Sequence, residues 1–299
     1  GLLINSYVKA DGEAGYVGVE TCQRCHEDKY ESYTKSPHGV KKDPRSPAAS
    51  HGCETCHGPG AAHADAGGGK GVGGMILLDP KSSTPIEKIN ATCLQCHERF
   101  PVNSKLSRVN WEGSIHETRG LACTNCHSVH EGHPKNLSKP TQPEVCTQCH
   151  KQIKAQLQRQ SHHPIREEKV NCTDCHNPHG TVTEKLLSAN SVNEKCYECH
   201  AEKRGPFLWE HAPVSENCLT CHTPHGSSHD KLLISKRPYI CQTCHSNTSH
   251  PGTLYGLSTT QTDLSVYEAT NNRLYYRACS NCHSQIHGSN HPSGRSLAR

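Results

Sequence analysis

The sequence predicts a chain of short helices and long loops with little or no β-structure, folded around groups that its own side chains do not supply. Three observations lead there. Only 32% of the 299 residues are hydrophobic and 5% aromatic, with two Phe, two Trp and one Met. Against this stand 20 Cys and 25 His, and the two residue types recur together in a fixed pattern. Composition this polar ordinarily signals disorder; the Cys and His overturn that reading.

Every Cys falls in a CxxCH motif and none is left over. The ten motifs carry Cys22 and Cys25, Cys53 and Cys56, Cys93 and Cys96, Cys123 and Cys126, Cys146 and Cys149, Cys172 and Cys175, Cys196 and Cys199, Cys218 and Cys221, Cys241 and Cys244, and Cys279 and Cys282. CxxCH is the attachment signature of c-type haem: the two thiols bond to the haem and the adjacent His takes the proximal position on iron. The proximal ligands are then His26, His57, His97, His127, His150, His176, His200, His222, His245 and His283. A zinc ribbon pairs one CxxC with another without needing His after each second Cys, and a disulfide framework has no use for that His either. Ten covalent haems, with their iron, would supply most of the buried apolar surface, so folding should depend on haem loading. Their propionates would carry the formal charge from +4 to about −16.

The fifteen remaining His expose an internal repeat. Each unit reads CxxCH, a spacer with a His, a second CxxCH, then a trailing His, and it occurs five times, over residues 22–66, 93–133, 146–180, 196–229 and 241–291. The spacers give His38, His116, His162 or His163, His211 and His250; the trailing positions give His63, His130, His179, His225 and His287. These are ten distal candidates for ten irons, with His162 taken and His163 its open competitor. His51, His133, His229 and His291 fall outside the pattern and read as surface or supporting His, although His51 or His291 could replace a named ligand. Met75 is the only Met, so at most one haem is His/Met. Bis-His ligation closes both axial positions, which favours electron transfer, with no catalytic residue, over an enzyme. In CLTCHTPHG, His225 stands three residues past His222, about 4.5 Å of helical rise, too near to pass around the macrocycle. It should serve a different haem.

The rest of the chain narrows the function classes. Lys and Arg are interspersed with Asp and Glu, so no nucleic-acid footprint appears. The longest apolar runs, such as Met75 to Leu78, fall far short of the roughly 20 residues that span a bilayer. Residues 1–21, an N-terminal tail, show no charged region leading into a long apolar one, which implies a removed signal peptide or a start inside the mature protein. The segment 58–74, GPGAAHADAGGGKGVGG, lacks Gly-Lys-Ser/Thr and reads as a flexible loop rather than a phosphate cradle, with Gly58, Pro59 and Gly60 turning His63 towards a neighbouring haem. Tyr255, Tyr267, Tyr275 and Tyr276 read as packing against a terminal haem, or as a partner surface. KQIKAQLQRQ (151–160) is the clearest helical run.

The ten motifs, together with CHGPGAAH near the start and CHSQIHGSNHPSG near the end, resemble the decahaem c-type cytochromes of the MtrA/DmsE family over nearly the whole chain. The resemblance implies a multihaem cytochrome c: mostly loops and short α-helices around an elongated haem chain, in two pentahaem (NrfB-like) halves over residues 22–150 and 151–299. It also implies electron transfer in extracellular respiration or dissimilatory metal reduction. On that reading the protein sits in the periplasm at the outer membrane, inside a β-barrel porin partner, and carries electrons from periplasmic donors to an extracellular multihaem cytochrome. The physics agrees with a barrel: a polar, loop-rich chain cannot meet lipid but can be hydrogen-bonded in a polar lumen. The alternatives are a periplasmic multihaem reductase with one open haem site and a soluble periplasmic electron shuttle.

Overall fold

The computed structural model describes residues 15–98, 107–130, 141–245, 278–292 and 294–298. The expectations at His133, His250 and the four tyrosines between 255 and 276 lie outside the described residues. Among those described no strand forms; only isolated bridges occur, Ser161 with Ser227, His176 with Leu187, Trp209 with Ser289 and His222 with Leu233.

The helices are short because the motifs set their length. The longest among the described residues, Ile86–His97, has 12 residues, takes in CLQCH and ends at that motif's His97. Val19–Gln23, Gln142–Thr147, Val192–Tyr197 and Tyr239–Gln242 likewise lead into a motif. Within the motifs the His N–H donates to the carbonyl of the first Cys, at 2.9 Å in His26, 3.1 Å in His222 and 2.9 Å in His283. One closed turn therefore puts both thiols and the imidazole on the same side. The run at 151–160 forms the helix Lys151–Leu157. No helix among the described residues is long and apolar enough to cross a membrane.

The glycine-rich segment is more ordered than a loop. It holds the helix Ala61–Asp65 and a 3-10 turn, Val72–Gly74, that closes back on it. Gly73, at φ 73°, is what allows the closure: a Cβ there would lie 2.3 Å from the His63 nitrogen.

The apolar core is sparse, limited among the described residues to Tyr33, Ile89, Ala122, Leu157, Ile165, Leu233 and Leu297, and several Asn, Gln and Glu side chains are as deeply buried. The chain divides into two compact units. One holds the residues up to Gln148 with Asn171–Thr173 and Asn177–Val182; the other holds Cys149–Val170, Asp174–His176 and the chain from Thr183. The sequence reading put a boundary between residues 150 and 151; in the structure the division passes through the fifth motif and shares out the sixth.

Candidate haem sites

Among the described residues, at least eight of the motif histidines stand opposite a second histidine. The pairs are His26 with His63 (ring centroids 6.4 Å apart), His57 with His130 (6.1 Å), His97 with His38 (5.9 Å) and His127 with His179 (6.0 Å). His176 faces His225 (6.1 Å), His200 faces His163 (6.4 Å), His222 faces His287 (6.2 Å) and His245 faces His211 (6.1 Å). Rings in direct stacking contact would be nearer, as Tyr16 and His51 are at 4.1 Å. Two imidazoles bound to one metal through bonds of about 2.0–2.1 Å have centroids about 6.3 Å apart once ring size is added. The gap in each pair is thus one metal atom wide, and the residues fit the group that CxxCH implies. Buried donors need acceptors, and two of them, Tyr33 Oη and Trp209 Nε1, find none among the described residues. Haem propionates are acceptors of the kind they lack.

The pairs follow a rule. A trailing His faces the second motif of the preceding unit: His130 reaches His57, His179 reaches His127, His225 reaches His176 and His287 reaches His222. A spacer His faces the first motif of the following unit, as His38 does at His97, His163 at His200 and His211 at His245. In the first unit the trailing His63 instead folds back to His26. His225 thus faces a histidine other than its neighbour His222. The turn at Gly58 to Gly60 carries His63 away from His57 in the same way.

Several of the rings are aimed by the other nitrogen. Nδ1 meets a backbone carbonyl in His57 (Ile76, 2.9 Å), His63 (Val72, 3.1 Å), His116 (Pro178, 2.8 Å), His176 (Lys185, 2.8 Å), His211 (Ile286, 3.0 Å) and His222 (Lys231, 2.8 Å). His163 is held by the Pro224 carbonyl and His283 by that of Ser296. An Nδ1–H that donates to a carbonyl fixes the tautomer with its lone pair on Nε2, the arrangement that metal-ligating His requires. Burial, the largest cause in each case, holds His38, His97, His127, His130, His225 and His287 below the usual imidazole pKa, which keeps them neutral.

One sequence candidate is displaced. His162 has Nδ1 on the Arg159 carbonyl at 2.7 Å and Nε2 on Glu167 at 3.1 Å, so both ring nitrogens are engaged, while His163 stands opposite His200.

Successive motifs within each compact unit also lie near one another. Within repeat units the first cysteines meet, Cys22 with Cys53, Cys93 with Cys123, Cys146 with Cys172, Cys196 with Cys218 and Cys241 with Cys279. Between repeat units, Cys56 feels Cys96, Cys146 feels Cys126, Cys175 feels Cys199 and Cys221 feels Cys244. In the haem-loaded protein these sulfurs are thioethers, so the contacts report spacing and not a proton equilibrium.

Comparison with known proteins agrees with this chemistry. A family described as "Doubled CXXCH motif" matches residues 162–205 and 211–250, and "Cytochrome c-type protein NrfB-like" matches residues 53–136. The "C-type polyheme cytochrome OmcB" of Geobacter sulfurreducens, in two strains, is 30% identical over 127 residues, which cover 40% of this chain and 15% of that protein. The "Multiheme cytochrome MtrA" of Shewanella baltica (strain OS185) is 44% identical over 292 residues, covering 97% of this chain and 84% of that protein. With that identity sustained along a chain built of CxxCH turns and facing imidazoles, the protein belongs to the MtrA family of multihaem c-type cytochromes.

Proposed function

We propose that the protein is a non-enzymatic electron conduit: ten covalent haems in sequence order, lodged in a β-barrel porin of the outer membrane, linking periplasmic donors to an extracellular multihaem cytochrome. The coarser part, multihaem electron transfer, follows from family membership. The observation that carries the finer reading is the closure of axial positions, because eight imidazole pairs offer no place for a substrate. Bound haem supplies one-electron iron chemistry. The chain supplies the rest: thiols that fix each group, imidazoles that close it, and carbonyls that hold those imidazoles in one tautomer. The run of cysteine contacts from Cys22 to Cys279 supports an order of sites that follows the sequence. His116, anchored through Nδ1, is a further distal ligand. His250, which lies outside the described residues, is the remaining distal candidate.

Intact mass tests the count: ten haems above the polypeptide are expected, and nine would refute the assignment. Carbon monoxide tests the reductase alternative, since a stoichiometric site in the reduced protein would mean an open haem. Co-purification after mild detergent extraction of envelopes tests the barrel; a free monomer would favour the soluble shuttle.

A further inference from the structure

In every repeat unit one polar side chain crosses from the first motif to the second, and no haem ligand is involved. Asn90, three residues before Cys93, accepts from the Cys123 N–H at 2.8 Å and donates to the Leu121 carbonyl at 3.1 Å. Asn193, three before Cys196, accepts from the Cys218 N–H at 2.8 Å and donates to the carbonyls of Val214 (2.9 Å) and Ser215 (3.1 Å). Gln142, four before Cys146, accepts from the Thr173 N–H at 3.0 Å and donates to the Thr173 hydroxyl at 3.0 Å. Arg237, four before Cys241, donates to the Ser280 hydroxyl at 2.6 Å. The first unit has Val19 and Gly18 at those positions, and there the bridge runs in reverse. Glu54 of the second motif accepts from the N–H groups of Val17 (3.0 Å), Gly18 (2.9 Å) and Gly60 (2.7 Å).

Burial makes four of these bridges costly to break. Glu54 is 2% exposed, Asn90 6%, Asn193 8% and Gln142 9%, and a buried polar group left without its partner costs about 1–3 kcal/mol. Their ends lie at the first cysteine or its neighbour, where the thiols of the two motifs already meet. A side chain carried by one segment and hydrogen-bonded to the other restricts the relative placement of the two turns.

We propose that Glu54, Asn90, Gln142, Asn193 and Arg237 are positioning residues for electron transfer, latches that fix the separation of the two haems within each unit. The proposal rests on the haem reading of CxxCH, which intact mass tests separately. Asn193→Leu and Asn90→Leu in the haem-loaded protein separate the latch from general stability. Asn193→Leu should keep ten low-spin haems but change the magnetic coupling between the haems at Cys196 and Cys218 in pulsed EPR. It should also slow electron equilibration after flash reduction and expose the Cys218 amide to hydrogen exchange. Asn90→Leu should do the same at Cys93 and Cys123 only. Ten haems with unchanged coupling and rate, or changes spread evenly over all units, would overturn the proposal. If Asn193→Leu loads fewer haems, peptide mapping decides: vacancies confined to the Cys196 and Cys218 motifs support the latch, and scattered vacancies sink it.

Discussion

The first and fourth repeat units solve one problem by different routes. In the fourth, His222 is anchored by the carbonyl of Lys231, nine residues on, and the third unit repeats this with His176 and Lys185. In the first, the carbonyl that holds His57 belongs to Ile76, nineteen residues on, and the intervening glycine-rich segment supplies Val72 to hold His63 as well. The fourth unit sends its trailing His225 back to His176; the first sends His63 to His26, within its own unit. What the anchored rings His57, His63, His211 and His222 share is chemical: a carbonyl on Nδ1 and a second imidazole about 6 Å away. The path of the chain between those points is free.

The largest effect should come from deleting the trailing histidines. His225→Ala is expected to open the haem held by Cys172 and Cys175 and to leave the one at Cys218 low-spin, whereas His63→Ala opens the haem of its own unit, at Cys22 and Cys25. Each variant should bind carbon monoxide at one haem in ten and gain one high-spin ferric signal. Assignment by NMR of the opened haem to Cys218 in the first case would break the rule that trailing ligands reach one unit back.

Acid should act next. Burial, then the charges of His176, His163 and His150, holds His225 below the ordinary imidazole value of 6.5. A depressed folded pKa means that the unfolded chain takes up protons first, so the neutral ring contributes stability above about 6.5 and loses it as pH falls. Iron ligation needs the same neutral form. Titration from pH 7 to 4, followed by the low-spin bands, should show release at the haems served by His38, His130, His225 and His287, and a flat profile would contradict their burial as neutral ligands.

Sequence and structure meet unevenly in these two units. The Cys and the proximal His are legible because the covalent chemistry demands a contiguous motif. The unit boundaries are legible because each repeats its spare His. The choice of His163 over His162 was not, since it depends on Glu167 and Arg159 occupying one ring and the Pro224 carbonyl orienting the other. Nor were the anchors, because a backbone carbonyl leaves no mark in the sequence. The segment at 58–74 looked like a loop for the same reason: its glycines permit the close approach of Gly73 to His63, and only the coordinates show that approach. Asn90 and Asn193 read as ordinary polar residues until the partners 33 and 25 positions away come into view.

Gly73→Ala sharpens the comparison from the first unit. Its Cβ would meet the His63 backbone, in a conformation of φ 73° that L side chains rarely adopt, so a loss of about 1–3 kcal/mol is expected. Thermal unfolding measures that loss, and a weakened Cys22 haem should accompany it. An unchanged melting profile would mean that the segment is as yielding as its composition suggests.

The smallest effect, and the one of opposite sign, belongs to the fourth unit. Lys231 and Leu232 sit at φ 58°, as Lys185 and Leu186 do at 56° and 57° in the third, and left-handed backbone costs a residue with a Cβ about 1–2 kcal/mol. The strain is what turns the Lys231 carbonyl onto His222 within nine residues, where the first unit uses nineteen and several glycines. Lys231→Gly removes the penalty without removing the carbonyl, although the added freedom of the unfolded chain offsets part of the gain. A net stabilisation of up to about 1 kcal/mol is therefore expected, with the Cys218 haem unchanged in spin state and potential. Lys231→Pro is the counterpart: its φ is locked near −65°, the carbonyl turns away, and the His222 haem should shift in potential while the protein loses stability. Equal behaviour of the two variants would show that the short route does not depend on the left-handed turn.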